Sequence, residues 1–208
     1  ASGLEHAKPR RDVAVYLPEQ KCCGMPTYLE GDHGFTRRLA ESNLPVLAEC
    51  VASGFDIVTA CPTCSFAFKT VLARGARFAP ERRETIAAML KDCDGDTTEV
   101  RDRLVAAAQA PTGRVSSAAA GFHDTWVINH VAATAHGGEG IDDGYLPEID
   151  ADLRADVAVH TWELGEYLRD LAAQGGLREV AGIGTETLGY FPPCHLREQE
   201  MGRPWAEL

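Results

Sequence analysis

The chain has 208 residues, with 20 basic and 31 acidic side chains and a formal net charge of −11. Hydrophobic residues make up 45% and charged residues 25%, which is ordinary globular usage and excludes a disordered tail, a collagen or a coiled coil. The negative charge argues against a nucleic-acid binder, whose affinity would come from Lys and Arg on phosphate. No apolar run approaches the roughly 18 residues of a membrane helix.

Apolar runs and helix-spaced patterns alternate in the first third of the chain. The short apolar run 13–17 predicts a buried strand. A helix is predicted roughly over 35–52, where Pro45 indicates a kink or a break. The run 56–60 predicts a second strand, which leads directly into a helix with Pro62 in its first turn. Strand, loop and helix in this order are typical of a parallel α/β layer.

The later part of the chain has fewer strand signals. Two helices are predicted over 80–93 and 97–110, and Asp96 is the expected N-cap of the second. An amphipathic helix is predicted over 161–173. The apolar run 187–191 predicts a third strand.

Cysteine is the unusual component of the sequence. The seven cysteines form an adjacent pair, a Cys-x-x-Cys pair and three single residues: Cys22 and Cys23, Cys61 and Cys64, and Cys50, Cys93 and Cys194. They are too sparse for a disulfide scaffold, and an odd number leaves at least one thiol unpaired. This pattern indicates metal or redox chemistry in a reducing compartment.

Both cysteine pairs and Cys194 follow predicted strands, whose carboxyl ends meet at one edge of a parallel sheet. Thiolates are soft ligands that suit zinc, Cu(I) and iron–sulfur clusters. Adjacent cysteines do not easily ligate one small ion with both sulfurs, but they bind two irons of a larger cluster. Cys50 is typical of a small buried hydrophobe, and Cys93 of a helix end.

One spacing resembles a known family. Cys22-Cys23-Gly24 is followed, after 36 residues (25–60), by Cys61-Pro62-Thr63-Cys64. This arrangement resembles the cysteine-rich "CCG" module found in the iron–sulfur subunits of heterodisulfide reductase, of anaerobic glycerol-3-phosphate dehydrogenase, and of glycolate and lactate oxidation systems. The segment 190–196, Tyr-Phe-Pro-Pro-Cys-His-Leu, resembles the opening of a second such module, and 162–168 resembles the helix that precedes it.

The resemblance implies a fold and a division of the chain. The fold class is α/β, with Rossmann-like parallel-sheet lobes and a largely helical insertion. Residues 1–74 would be a first module that is incomplete at its N-terminus, 75–156 the insertion, and 157–208 the start of a second module. The chain would be a piece of a longer polypeptide or a split-gene product, and other segments would supply the missing cysteines. The implied ligands are Cys22, Cys23, Cys61 and Cys64 of the first site and Cys194 of the second.

The resemblance also implies a function. The chain would be an iron–sulfur electron-transfer subunit rather than an enzyme alone, carrying a [4Fe–4S] cluster that is noncubane in the heterodisulfide reductase case. It would pass electrons between a flavin dehydrogenase partner and a quinone or disulfide acceptor, beside flavoprotein and ferredoxin-like subunits. A cytoplasmic location is expected, with peripheral attachment to the inner face of the membrane in some relatives. Two alternatives stay open: a heterodisulfide-reductase-type catalytic subunit, and a zinc-binding structural or assembly protein without redox activity.

Overall fold

The structure, a computed structural model, describes residues 13–76, 80–116, 125–134, 146–177, 189–199 and 202–207. Most of these residues are helical, and none of the described helices is long and apolar enough to cross a bilayer. The elements in chain order are α1 (Met25–Leu29), α2 (His33–Ala52), β1 (Ile57–Thr59), α3 (Pro62–Phe66), a π-helical turn (Ala67–Val71), α4 (Pro80–Asp92), α5 (Thr97–Gln109), α6 (Thr125–Thr134), α7 (Ala151–His160), β2 (Thr161–Glu163), α8 (Leu164–Ala173), α9 (Cys194–Arg197) and α10 (Pro204–Glu207).

The sheet described has two short parallel strands, β1 and β2. Their register pairs Ile57 with Thr161 and Thr59 with Glu163. Helices α2 and α7 pack against each other beside this sheet, and the π-helical turn packs on α7. The α/β class predicted from the sequence is therefore supported in its coarse form, as a mostly helical protein around a small parallel sheet.

Helix α2 forms where the sequence predicts it, two residues earlier than expected. The Asp32 side chain accepts a hydrogen bond from the Phe35 N–H at 2.9 Å and caps the helix. The helix continues through Pro45 as one element, and its buried face includes Leu44 and Val51. The buried stripe holds the helix against the core despite the hydrogen bond that a proline cannot donate.

The strand prediction for 13–17 is wrong. Residues 13–23 are neither helix nor strand. Val15 is 90% exposed and Leu17 is 78% exposed. A short apolar run becomes a buried strand only when a neighbouring strand and a covering layer are present, and in the described part of the chain β1 pairs with β2 alone.

A strand lies where the sequence predicts the start of a helix. Residues Thr161–Glu163 form β2, and helix α8 begins only at Leu164. The Glu163 side chain accepts hydrogen bonds from the Gly165 and Glu166 N–H groups, and it forms a capping box with Glu166. The strand prediction for 187–191 falls partly outside the described residues, and 189–191 are not in a strand.

Helices α4, α5 and α6 share a separate apolar core formed by Ile86, Leu90, Cys93, Val100, Leu104, Ile128 and Val131. The predicted helices at 80–93 and 97–110 are confirmed as α4 and α5. The Asp96 side chain caps α5 by accepting from Thr98 N at 2.9 Å and Glu99 N at 3.1 Å, as the sequence predicts. The boundaries 74/75 and 156/157 between the three expected segments stay a prediction.

Arg114 ties the sheet to its flanking helices. Its guanidinium donates to Asp56, just before β1, at 2.6 Å and to Asp170 on α8 at 2.7 Å. It also lies over the rings of Trp162 on β2 and Tyr167 on α8, 5.1 and 4.3 Å from their centroids. One side chain thus joins the start of β1, the middle of β2 and helix α8.

A second ionic contact is buried behind α3. Lys69, in the π-helical turn, donates to the Glu166 carboxylate, and both side chains are almost fully buried. The turn is wider than an α-helix because the Leu72 N–H donates to the Ala67 carbonyl, five residues back. Burial lowers the pKa of Lys69, and the Glu166 carboxylate opposes this shift.

Replacing Lys69 by Met should lower the free energy of unfolding by about 3–5 kcal/mol, because Glu166 loses its ammonium partner in a buried position. The double variant Lys69→Met/Glu166→Gln should recover part of the loss. Urea unfolding followed by circular dichroism measures both changes. The control is Arg103→Ala, which removes an exposed pair with Glu99 and should cost under about 1 kcal/mol. Equal losses of unfolding free energy in Lys69→Met and Arg103→Ala would contradict a stabilising role of the buried ion pair.

Candidate metal centre

The Cys22-Cys23 pair lies at the end of the segment 13–23, which is neither helix nor strand. Asn43 on α2, itself buried, holds this backbone by accepting from the Lys21 N–H at 2.8 Å and donating to the Cys22 carbonyl at 2.9 Å. The amide side chain replaces the donor and acceptor that a neighbouring strand would present. Placement of the first cysteine pair therefore depends on α2.

Gly24 turns the chain from the cysteine pair into α1. Its φ is +87°, in the left-handed region that favours glycine. A Cβ atom at this position would lie 3.2 Å from the Thr36 methyl group on α2. The Thr27 hydroxyl donates to the Gly24 carbonyl at 2.9 Å. The sharp turn and the close approach to α2 both require glycine here.

The second pair begins directly after β1. Cys61 is the N-cap of α3 with an extended backbone, and Cys64 lies one turn further, in the helix. The backbone N–H groups of Cys64 and Thr63 hydrogen-bond to the Cys61 sulfur and lower the pKa of this thiol. The position predicted from the sequence, a Cys-x-x-Cys at a helix start behind a strand, is confirmed.

The structure brings the two pairs into one chain of thiol contacts. The neighbouring thiols of Cys23 and Cys61 both raise the pKa of Cys64, and Cys22 raises the pKa of Cys23. Cys23 is buried and Cys64 is half-buried, whereas Cys22 and Cys61 are exposed. Burial raises the pKa of Cys23 and, more strongly, of Cys64. We call these four residues the thiol chain.

The thiol chain fits a soft metal or an iron–sulfur group. Its donors are all sulfur, and backbone N–H groups point at Cys61 from Thr63 and Cys64 and at Cys23 from Met25. Such N–H groups stabilise thiolate charge. Among the described residues, no three His, Cys, Asp or Glu side chains already converge as they would around a single metal ion.

Cys194 lies outside this thiol chain. It is exposed and begins the short helix α9, where the Arg197 guanidinium donates to its sulfur at 3.4 Å. Helix α9 packs on α3. Cys194 therefore lies on an element that touches the Cys-x-x-Cys helix.

The remaining two cysteines lie apart from the thiol chain. Cys50 is half-buried near the end of α2 and lines a pocket of about 230 Å³ with Tyr16 and Phe55. Burial raises the pKa of its thiol. Cys93 is buried in the core of the three helices α4, α5 and α6.

Sequence reasoning missed the polar support behind the thiol chain. Asn43, Lys69 and Glu163 are all buried, and each fixes an element next to a cysteine pair. Glu163 also accepts from the Trp205 Nε1–H at 3.2 Å. The available signal was a lysine five residues after the Cys-x-x-Cys pair, inside an otherwise apolar helical stretch.

Comparison with known proteins agrees with the cysteine pattern. Residues 8–69 match the family model described as CCG, a cysteine-rich domain. The match includes both cysteine pairs and ends at Lys69. No curated protein and no solved structure matches the chain.

In the metal-free protein, iodoacetamide should alkylate Cys61 faster than Cys23 or Cys64. The thiolate is the nucleophile, and the pKa of Cys61 is lowered while the pKa of each of the other two is raised by burial. The Cys61 rate should therefore reach its plateau at a lower pH than an ordinary thiol. Mass spectrometry of timed samples measures each site, with Cys50 as a slow reference. Equal rates at Cys61 and Cys64 would contradict this order.

Gly24→Ala should destabilise the protein more than Gly31→Ala. Both glycines have positive φ, 87° and 79°, so each alanine costs about 1–2 kcal/mol in backbone strain. Only Gly24 has a neighbour, Thr36, within 4 Å of the new Cβ. Urea unfolding measures both losses, and the Cys23 alkylation rate should rise only in Gly24→Ala. Identical losses of unfolding free energy in the two variants would show that the contact between the new Cβ and Thr36 costs nothing.

Proposed function

The chain carries a CCG cysteine-rich domain at residues 8–69, and we propose from this that it is an iron–sulfur electron-transfer subunit of a multi-subunit oxidoreductase. The observation that carries the proposal is the thiol chain, in which Cys22, Cys23, Cys61 and Cys64 are neighbours although 37 residues (24–60) separate the two pairs in sequence. Four thiols together in a protein that holds all its cysteines free are typical of a thiolate-ligated metal group.

An iron–sulfur cluster suits the arrangement better than a single ion. Two adjacent cysteines, Cys22 and Cys23, do not both ligate one small ion easily, whereas separate irons of a larger group accept them. A bound cluster, proposed as [4Fe–4S] and of noncubane type, supplies one-electron chemistry. The residues of this chain hold it through four sulfurs and surround it with backbone N–H groups at Cys23 and Cys61. Such hydrogen bonds raise the reduction potential because they favour the more negative state.

The proposed partners follow from the electron-transfer role. A flavoprotein dehydrogenase and a ferredoxin-like domain would give and take electrons, and a quinone or a disulfide would be the final acceptor. Segments of other chains would complete the cysteine sets and extend the small sheet to Rossmann-like lobes. The net charge of −11 favours docking to a basic partner face. We place the complex in the cytoplasm, with peripheral contact to the inner face of the membrane.

One observation favours a second function, catalytic disulfide reduction of the heterodisulfide reductase type. Cys22 and Cys61 are exposed while Cys23 and Cys64 lie behind them, so one side of the thiol chain is open to solvent. A substrate sulfur could approach a bound cluster from that side. Turnover of a mixed disulfide with an artificial one-electron reductant would separate this catalytic role from electron transfer alone.

Anaerobic reconstitution of the full chain with ferrous iron and sulfide should give a brown protein with broad visible absorption and an EPR signal after reduction. Cys23→Ser and Cys64→Ser should each lose most of the bound iron and sulfide, because both residues lie at the centre of the thiol chain. Iron and sulfide analysis per chain gives the measurement.

The matched control for reconstitution is Cys50→Ser, which removes a half-buried thiol outside the thiol chain and should keep the wild-type iron content. A colourless protein that holds stoichiometric zinc would contradict the electron-transfer role and support a structural zinc site.

A further inference from the structure

The segment 13–17 presents a row of apolar side chains to solvent. Val13, Val15, Tyr16 and Leu17 are 48%, 90%, 62% and 78% exposed. The Tyr16 ring contacts the ring of Phe55, itself 39% exposed, with centroids 6.0 Å apart. Single exposed apolar residues are ordinary on a protein surface, whereas a contiguous patch marks a site of interaction. We call these five residues the apolar patch.

The backbone of the same segment has free hydrogen-bonding groups. Over residues 13–20, no backbone N–H or C=O group hydrogen-bonds to another described residue. The first such bonds come at Lys21 and Cys22, whose backbone is held by Asn43. A run of free N–H and C=O groups beside apolar side chains is a template for strand pairing. The occupant that suits the apolar patch is therefore a β-strand.

A pocket beside the apolar patch has the form of a side-chain site. It measures about 230 Å³ and is lined by Tyr16, Val46, Glu49, Cys50, Ser53 and Phe55. This volume lies below the roughly 300–1,000 Å³ of ordinary small-molecule sites. Two aromatic rings and one carboxylate are among its lining groups. The aliphatic stem of a Lys or Arg packs on such rings, and its charged head pairs with a carboxylate.

Glu49 gives this surface its charge preference. It is exposed on α2, and none of the ion pairs among the described residues includes it. The nearby Glu19 and Lys21 pair with each other at 4.0 Å. The chain as a whole has a net charge of −11. The surface therefore favours a partner that brings a cation.

A second copy of the chain does not supply that cation. The segment 13–17, Val-Ala-Val-Tyr-Leu, contains no basic residue, so two copies paired through it would leave both Glu49 carboxylates unmatched. Two chains of charge −11 also repel each other. The partner is therefore a different chain.

We propose that the segment 13–17 is a docking edge for a β-strand of another subunit, which pairs with its backbone and places a Lys or Arg side chain in the pocket at Glu49. The partner strand is apolar at alternate positions, because alternate side chains of a strand share one face. This inference deepens the proposed subunit role and rests on it. Because the segment runs directly into Cys22, the partner extends upstream the hold that Asn43 has on the first cysteine pair.

Peptide binding to the metal-free full chain tests the docking edge. The probe is a short capped peptide that alternates Val and Thr around one central Lys, and its matched control has Glu in place of Lys. Hydrogen exchange followed by mass spectrometry should show protection of residues 13–17 with the Lys peptide alone. The same peptide should slow alkylation of Cys50, which lines the pocket, and leave the rate at Cys194 unchanged.

Two substitutions separate backbone pairing from charge. Val15→Pro removes one N–H and should weaken binding of the Lys peptide about tenfold, as expected for the loss of one or two hydrogen bonds. Val15→Thr keeps the N–H and the branched shape and should bind like the wild type. Glu49→Gln should weaken the Lys peptide about threefold, as expected for an exposed ion pair.

The probe itself can be varied if Val15→Pro folds poorly by circular dichroism. A Lys peptide with N-methylated backbone amides keeps its charge and apolar groups but does not pair as a strand, and it should give no protection of residues 13–17.

The proposal is overturned if the Lys peptide gives no protection, or if the Lys and Glu peptides bind equally. A dimer in sedimentation velocity that Val15→Pro dissociates would overturn it in favour of a second copy. Binding of the chain to phosphatidylcholine vesicles that Val15→Lys abolishes would overturn it in favour of a bilayer. The proposed function has a separate readout, since failure of the wild-type chain to assemble a cluster contradicts the iron–sulfur role and leaves the peptide result standing.

Discussion

The buried ion pair between Lys69 and Glu166 is the contact on which the rest of the site depends. Removing two charges from water is costly, and only close pairing with further hydrogen bonds offsets that cost. Here the further hydrogen bonds come from the β2–α8 junction, where Glu163 and Glu166 cap each other's backbone. The π-helical turn that follows α3 is thereby fixed to the strand beside β1. Because Cys61 and Cys64 lie between β1 and the π-helical turn, both ends of their segment are held.

A sheet of two three-residue strands is too small to be stable by itself. The protein compensates with charged anchors at its two ends. Arg114 joins Asp56, Trp162 and Asp170 at the end where β1 begins. Lys69, Glu163 and Glu166 stabilise the other end, where β1 leads into Cys61. The stiffness that a larger sheet would give is supplied by side chains whose partners lie far apart in sequence, which also explains why sequence periodicity does not reveal them.

Local sequence patterns correctly predicted the parts of the site whose conformation depends on neighbouring residues in the chain. A strand followed by Cys-Pro-x-Cys predicts a helix start with its thiols near exposed N–H groups, and α3 has this form. The meeting of the two cysteine pairs was also foreseen, but for a partly wrong reason. Cys22 and Cys23 reach the site on an irregular segment held by Asn43, not on a strand. The buried lysine of the π-helical turn and the docking of α9 depend on contacts about 100 or more residues apart, which no local pattern contains.

The π-helical turn also sets a limit on how the chain length can vary at this point. Its five-residue hydrogen bond from Leu72 to Ala67 accommodates one residue more than an α-helical turn would. Deleting one residue between Cys64 and Lys69 would move the Lys69 side chain by about 100° around the helix axis relative to α3. Lys69 would then no longer face Glu166. The spacing between Cys64 and this lysine is therefore a length constraint, and relatives that keep the ion pair must keep the count of residues between them.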